Sequence, residues 1–155
     1  MVFFIIITSF RFYIISENGG NALVNPLSTL EKKADDLNVR IGWLSLDKYT
    51  PPSASTKYMK IAMNRNWHNP EEIPFQLAHE LAHIINHDDC EMAFYHASYS
   101  SQERIEREAN VEAIKLLIPI FKDMGYENNP VTFMQVFHIP NYLFDNVIKI
   151  MKGIA

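Results

Sequence analysis

Apolar positions along the chain alternate between a helical and a strand-like period. Leu27, Leu30, Ala34 and Leu37 recur at spacings of three, four and three, which predicts a helix with one apolar face. Asn25-Pro26 supplies its start, a capping side chain followed by proline, and Asn38 supplies a left-handed end. Residues 39–46 (VRIGWLSL) alternate as a strand, and residues 58–63 (YMKIAM) form a second candidate. Between them, residues 49–56 read as a turn, because Pro51 and Pro52 exclude a central strand. Residues 64–70 read as a polar loop. Pro74 fits the first turn of a helix that extends to about His87, where Asp88-Asp89-Cys90 ends it. A loop rich in aromatic and polar groups follows over residues 91–100. Ser100 with Glu103 then predicts a capping box for a third helix, stopped after Ile118 by Pro119. Residues 120–155 suggest one or two short helices broken at Pro130 and Pro140.

The first residues, MVFFIIITSFRFYII, are the most apolar stretch and stand apart from this body. A membrane-spanning helix needs about 20 apolar residues, and Arg11 interrupts this run. The uncharged start and the absence of a small-residue cleavage site do not fit a signal peptide. The segment therefore reads as an added strand, as a membrane-associating or targeting segment, or as sequence upstream of the true start. The segment is short for a span, which disfavours the membrane alternative. Residues 1–25 are thus expected to be an apolar segment and linker, with the folded domain over 26–155.

Composition narrows the function classes. The chain has 155 residues, 48% of them apolar and 21% charged, which fits one globular domain. A single cysteine, Cys90, excludes an intramolecular disulfide and a cysteine zinc cage, and a lone thiol suits a reducing cytoplasm. The net charge of −4 disfavours direct nucleic-acid binding through bulk electrostatics.

The candidate chemistry lies on two predicted helices. His79-Glu80-Leu81-Ala82-His83 is an H-E-x-x-H motif. Residues four apart share a helix face, so His79 and His83 can reach one zinc ion. Glu80, about 100° further round, can act as the base that takes a proton from an activated water. A catalytic zinc needs a third ligand, commonly a carboxylate. Glu103, Glu106, Glu108 and Glu112 lie on the next helix, and spacing alone does not separate Glu106 from Glu108. Asn110 shares a face with Glu106, and Ala109 between them permits close helix approach. His87 repeats the four-residue spacing, but lies about 12 Å along the helix from His79, too far for a shared ion.

These motifs occur in an informative order: His79-Glu80-Leu81-Ala82-His83, then Glu106-Arg107-Glu108-Ala109-Asn110, then Lys115-Leu116-Leu117-Ile118-Pro119. The order resembles the ImmA/IrrE-type metallopeptidases, whose pattern is H-E-x-x-H, E-x-x-A-N and an apolar run ending in proline. The likeness covers roughly residues 27–120 and includes a strand ending in Asn64. It implies an α+β, mainly helical, zincin-like (gluzincin-like) domain with a small sheet packed beside the H-E-x-x-H helix. It also implies Zn2+ held by His79, His83 and Glu106, Glu80 as catalytic base, and Asn110 hydrogen-bonded behind a ligand. Such proteins typically cleave a helix-turn-helix repressor in mobile elements or stress regulons, so the implied partner is that repressor. Two positions depart from the pattern: Glu112 replaces an apolar or aromatic residue, and Ala82 replaces glycine. Neither removes a ligand.

Tyr95, His96, Tyr99 and His138 are candidate oxyanion donors among which the sequence does not choose. Phe133, Phe137, Tyr142 and Phe144 are expected to complete the core rather than to line a groove. The rival function is a non-catalytic anti-repressor that keeps the metal for structure, and Glu80 is the residue that separates the two.

Overall fold

The computed structural model describes residues 24–87 and 99–153, with two short strands at 5–8 and 11–14. Those strands, β1 (Ile5–Thr8) and β2 (Arg11–Ile14), pair antiparallel, with Ile5 opposite Ile14 and Thr8 opposite Arg11. Of the three readings of the apolar start, the strand one matches the described part, as a pair rather than a single strand. Most of the expected linker lies outside the described residues. Among the described residues no helix is long and apolar enough to cross a membrane.

Helix α1 spans Pro26–Asp36. The Asn25 side chain accepts the N–H groups of Leu27 (3.0 Å) and Ser28 (3.4 Å), and Pro26 has no N–H to satisfy. Leu30 and Ala34 are buried, and Asn38 takes the left-handed conformation that ends the helix (φ 58°). The chain then enters a three-stranded sheet of β3 (Arg40–Leu44), β4 (Ser53–Ser55) and β5 (Lys60–Asn64). Its order is β3-β5-β4, with β5 parallel to β3 and antiparallel to β4. Ile61 and Met63 of β5 are buried against the core.

Strand β4 corrects the turn expected over residues 49–56. Pro51 and Pro52 precede the strand instead of interrupting it, and an edge strand pairs on one side only. Asn64 is the last residue of β5, not part of a loop, and it is buried. Its Nδ2 donates to the carbonyls of Asp47 (2.7 Å) and Thr50 (3.0 Å). Its Oδ1 accepts the N–H groups of Asn66 (3.0 Å) and Leu46 (3.3 Å). One amide side chain therefore sets the path of the segment that leads through the two prolines into β4.

A 3-10 turn at Pro70–Glu72 opens into α2 (Ile73–Ile85), with Pro74 in its first turn as expected. Nine of its residues are buried, because α2 packs against α1, β4, β5 and the long helix α3 (Tyr99–Asp123). Two expectations for α3 are corrected. Ser100 lies within the helix, not ahead of it as a cap. Pro119 does not end the helix, which continues to Asp123. Pro119 and Lys115 are both exposed, so the carbonyl that loses its partner faces water, while Ile120 and Phe121 beyond it are buried. Helices α4 (Pro130–Val136) and α5 (Phe144–Met151) complete the chain. Phe121, Phe133 and Phe137 meet edge-to-face or tilted, with Phe121–Phe133 centroids 5.2 Å apart, so Phe133 and Phe137 do complete the core. Tyr142 and Phe144 remain exposed. The architecture is α+β, mainly helical, with a small mixed sheet beside the H-E-x-x-H helix.

Proline inside a helix costs about 3 kcal/mol relative to alanine, part of which proline returns by stiffening the unfolded chain. Pro119→Ala should therefore raise unfolding stability by about 1–2 kcal/mol, measured by urea denaturation.

Candidate metal centre

The site forms where α2 and α3 cross. Ala78 and Ala82 of α2 and Ala109 and Ala113 of α3 are all fully buried. Four methyl-sized side chains in neighbouring helices allow the two backbones to approach closely. This brings Glu106 and Asn110 to the histidines on α2.

The donor atoms sit at ion-binding spacing. His83 Nε2 lies 3.1 Å from His79 Nε2. The Glu106 carboxylate lies 3.3 Å from His79 Nε2 and 3.6 Å from His83 Nε2. Donors about 2.0–2.1 Å from a shared tetrahedral ion stand about 3.3 Å from one another. All three separations match that value. The two imidazole planes are nearly perpendicular, at 89°, so each presents Nε2 from its own direction. Among the described residues, His79, His83 and Glu106 are the one group whose ligand atoms could hold a metal ion.

The surroundings favour a cation there. Asn110 Oδ1 stands 3.1 Å from His79 Nδ1, and with that oxygen facing the ring Nδ1 is the donor. This tautomer leaves Nε2 as a lone pair directed at His83 and Glu106. Burial lowers the affinity of His79 for a proton, but the Glu106 and Glu80 carboxylates outweigh it and raise the histidine pKa above its ordinary value. Hydrogen bonding to His79 holds Glu106 below the usual carboxylate range. The two shifts are the two sides of one attraction between a protonated His79 and the Glu106 carboxylate, and a cation shared by these donors would take that proton's place.

Glu80 is buried, unlike half-exposed Glu106. Burial pushes its carboxyl up to about 7, against the opposing pull of His79 and of the Ala54 backbone N–H, which donates to it. The edge strand β4 thus holds Glu80 from the sheet side. Sequence reasoning missed this contact, since a backbone donor carries no residue signature.

The other candidates separate clearly. Glu108 pairs with Arg104 (3.1 Å) and Glu112 with Lys115 (3.6 Å), so both serve the helix surface. His87 follows the end of α2 in a left-handed conformation (φ 56°) and is exposed. His138 pairs with Glu71 at 2.7 Å, and Tyr99 is exposed at the start of α3. Cys90, Tyr95 and His96 lie outside the described residues.

Glu80 should leave a signature in stability. A carboxyl whose pKa rises on folding binds its proton more tightly in the folded state, so stability falls as pH rises from about 4.5 to about 7. In metal-free protein, Glu80→Gln should remove this fall and stabilise by about 2–3 kcal/mol at pH 8, with little effect near pH 4. Urea denaturation across that pH range checks it.

Residues 34–122, more than half of the chain, match the model of the IrrE N-terminal-like domain, a peptidase family. No curated protein and no solved structure matches the chain. The matched span contains α2, the sheet, all but the last residue of α3 and every residue of the cluster. The chain belongs to the IrrE N-terminal-like family of metallopeptidases.

Proposed function

We propose that the protein is a zinc-dependent endopeptidase whose substrate is a helix-turn-helix transcriptional repressor. The observation that carries the catalytic half is the pairing of an ion-spaced His79–His83–Glu106 cluster with a buried glutamate, Glu80, beside it. The repressor half rests on the resemblance of the ordered motifs to ImmA/IrrE-type proteins.

In this reading His79, His83 and Glu106 hold the ion, and borderline-soft zinc suits two imidazoles and a carboxylate. When bound, zinc polarises a peptide carbonyl and makes a nearby water easier to deprotonate. Glu80 accepts the proton of the attacking water and delivers it to the departing amine nitrogen. The Ala54 backbone lies beside the Glu80 carboxyl and favours its charged form. A cation held next to Glu80 draws its raised pKa back down, toward the ionised form that a base requires. Asn110 orients the His79 ring through Nδ1, so that Nε2 faces the ion.

Purified protein should bind about one zinc per chain, measured by metal analysis and competitive titration, and His83→Ala should abolish that binding. Asn110→Ala should weaken zinc by about 10–100-fold without abolishing it. Affinity should fall as pH drops through the raised His79 range, because protons compete for Nε2.

Activity separates a protease from a metal-stabilised anti-repressor. Incubation with a helix-turn-helix repressor that is its substrate should give two fragments. Glu80→Gln should retain zinc while cleavage falls by at least about 10²–10⁴-fold. Undiminished cleavage by the zinc-loaded variant would remove Glu80 from the mechanism. Binding of the repressor without cleavage by the wild-type protein would favour the anti-repressor.

A further inference from the structure

The sheet has a second face, turned away from α2. The β5 register and the burial of Ile61 and Met63 place Arg40, Gly42, Lys60, Ala62, Ser53 and Ser55 together on it. Gly42, Ala62 and Ser53 lie side by side across the three strands and form the low floor of an open cavity of about 530 Å³. Arg40 and Lys60 are direct cross-strand partners at its edge, and both are exposed.

Two features of this face lack an explanation within the fold. A glycine in a strand interior weakens the strand, and nothing about Gly42 requires one. Its backbone is not in the left-handed region, and a Cβ there would meet only the Ile61 carbonyl oxygen at an ordinary 3.8 Å. Such a glycine marks a place where a ligand or another backbone comes close. The second feature is the pair of like charges set opposite each other, which disfavours the strand pairing. Among the described residues neither cation has an acidic partner.

We propose that this face binds an acidic, extended segment of a partner protein. The segment lies over the Gly42–Ala62–Ser53 floor and places carboxylates on Arg40 and Lys60. The openness of the cavity favours a chain over a small molecule, since a small-molecule site encloses most of its ligand. Two cations on a chain of net charge −4 are too few for a nucleic-acid backbone. The surface lies across the sheet from the metal cluster, so its occupancy depends on neither zinc nor hydrolysis.

The test is an amide-resolved NMR titration of the full chain with three probes: a short peptide of alternating Ser and Glu, the same peptide with Gln for Glu, and inorganic phosphate. The acidic peptide should shift the Arg40, Gly42, Lys60 and Ala62 amides saturably, with an affinity that falls as salt rises. The neutral peptide should not. The double variant Arg40→Gln, Lys60→Gln should weaken binding by about tenfold, the sum of two modest exposed ion pairs. Gly42→Val, which fills the floor and suits a strand, should weaken it comparably while the circular dichroism spectrum is unchanged. The proposal is overturned if the acidic peptide leaves these amides unshifted or if both variants bind as the parent does. It is also overturned if phosphate alone saturates the face as tightly as the peptide. A concentration-dependent dimer abolished by Gly42→Val would assign the face to a second copy of the chain instead.

Discussion

The close crossing of α2 and α3 is the constraint on which the site depends. His79 and His83 share a helix face by virtue of their spacing alone, but a third donor must come from elsewhere in the chain. Ala78, Ala82, Ala109 and Ala113, all fully buried, favour that by adding only methyl groups to the packed faces of the two helices. A larger side chain at this seam would force the backbones apart, and the Glu106 carboxylate would leave the 3.3–3.6 Å range in which it meets both imidazoles. Ala82 stands where the resembling proteins more often have glycine. Its full burial shows that this crossing accommodates one methyl group there. The metal cluster is thus a consequence of core packing, and the apolar residues beneath it act on its chemistry without touching it.

The two glutamates show how position gives identical side chains different proton affinities. Glu106 is half exposed and hydrogen-bonded to His79, which keeps it ionised and suits it to ion binding. Glu80 is buried on the neighbouring turn of α2, where desolvation raises its pKa toward neutrality. Proton transfer works best from a group poised near the ambient pH, whereas a ligand must stay charged. The sheet side of α2 supplies this difference. Strand β4 covers Glu80 and donates one backbone N–H to it, while Glu106 extends from α3 into a more open region.

Much of this was legible in the sequence, for identifiable reasons. Caps and periodic faces are local properties, so α1 with its Asn25 cap, the start of α2 and the strands β3 and β5 follow from short stretches of chain. The histidine pair is local in the same way. The choice of Glu106 over Glu108 is not, because both lie on the same helix and only the docking angle of α3 turns one toward His79. Pro119 marks a helix end by local geometry alone, yet the helix continues to Asp123. Burial of Ile120 and Phe121 beyond it favours continuing the helix despite the lost hydrogen bond. Strand β4 was hidden by the two prolines just before it and by its length of three residues. Its contribution to the site is a backbone N–H, which any residue but proline would present.

Strand β4 is also where the two halves of the structure meet. Its inner side reaches Glu80 through Ala54, and its outer side contributes Ser53 to the glycine-floored cavity. The strand is short and paired on one side only, so its pairing with β5 does little to fix its position. The Asn64 amide compensates, tying down residues 46–50 with three hydrogen bonds immediately before the stiff Pro51-Pro52 link. A parallel pair such as β3–β5 normally lies buried on both faces, yet among the described residues helices cover only one. The uncovered face is the one that carries the unneeded glycine and the unpaired cations. These features oppose sheet stability individually, and together they are accounted for by a segment that rests against the sheet from outside.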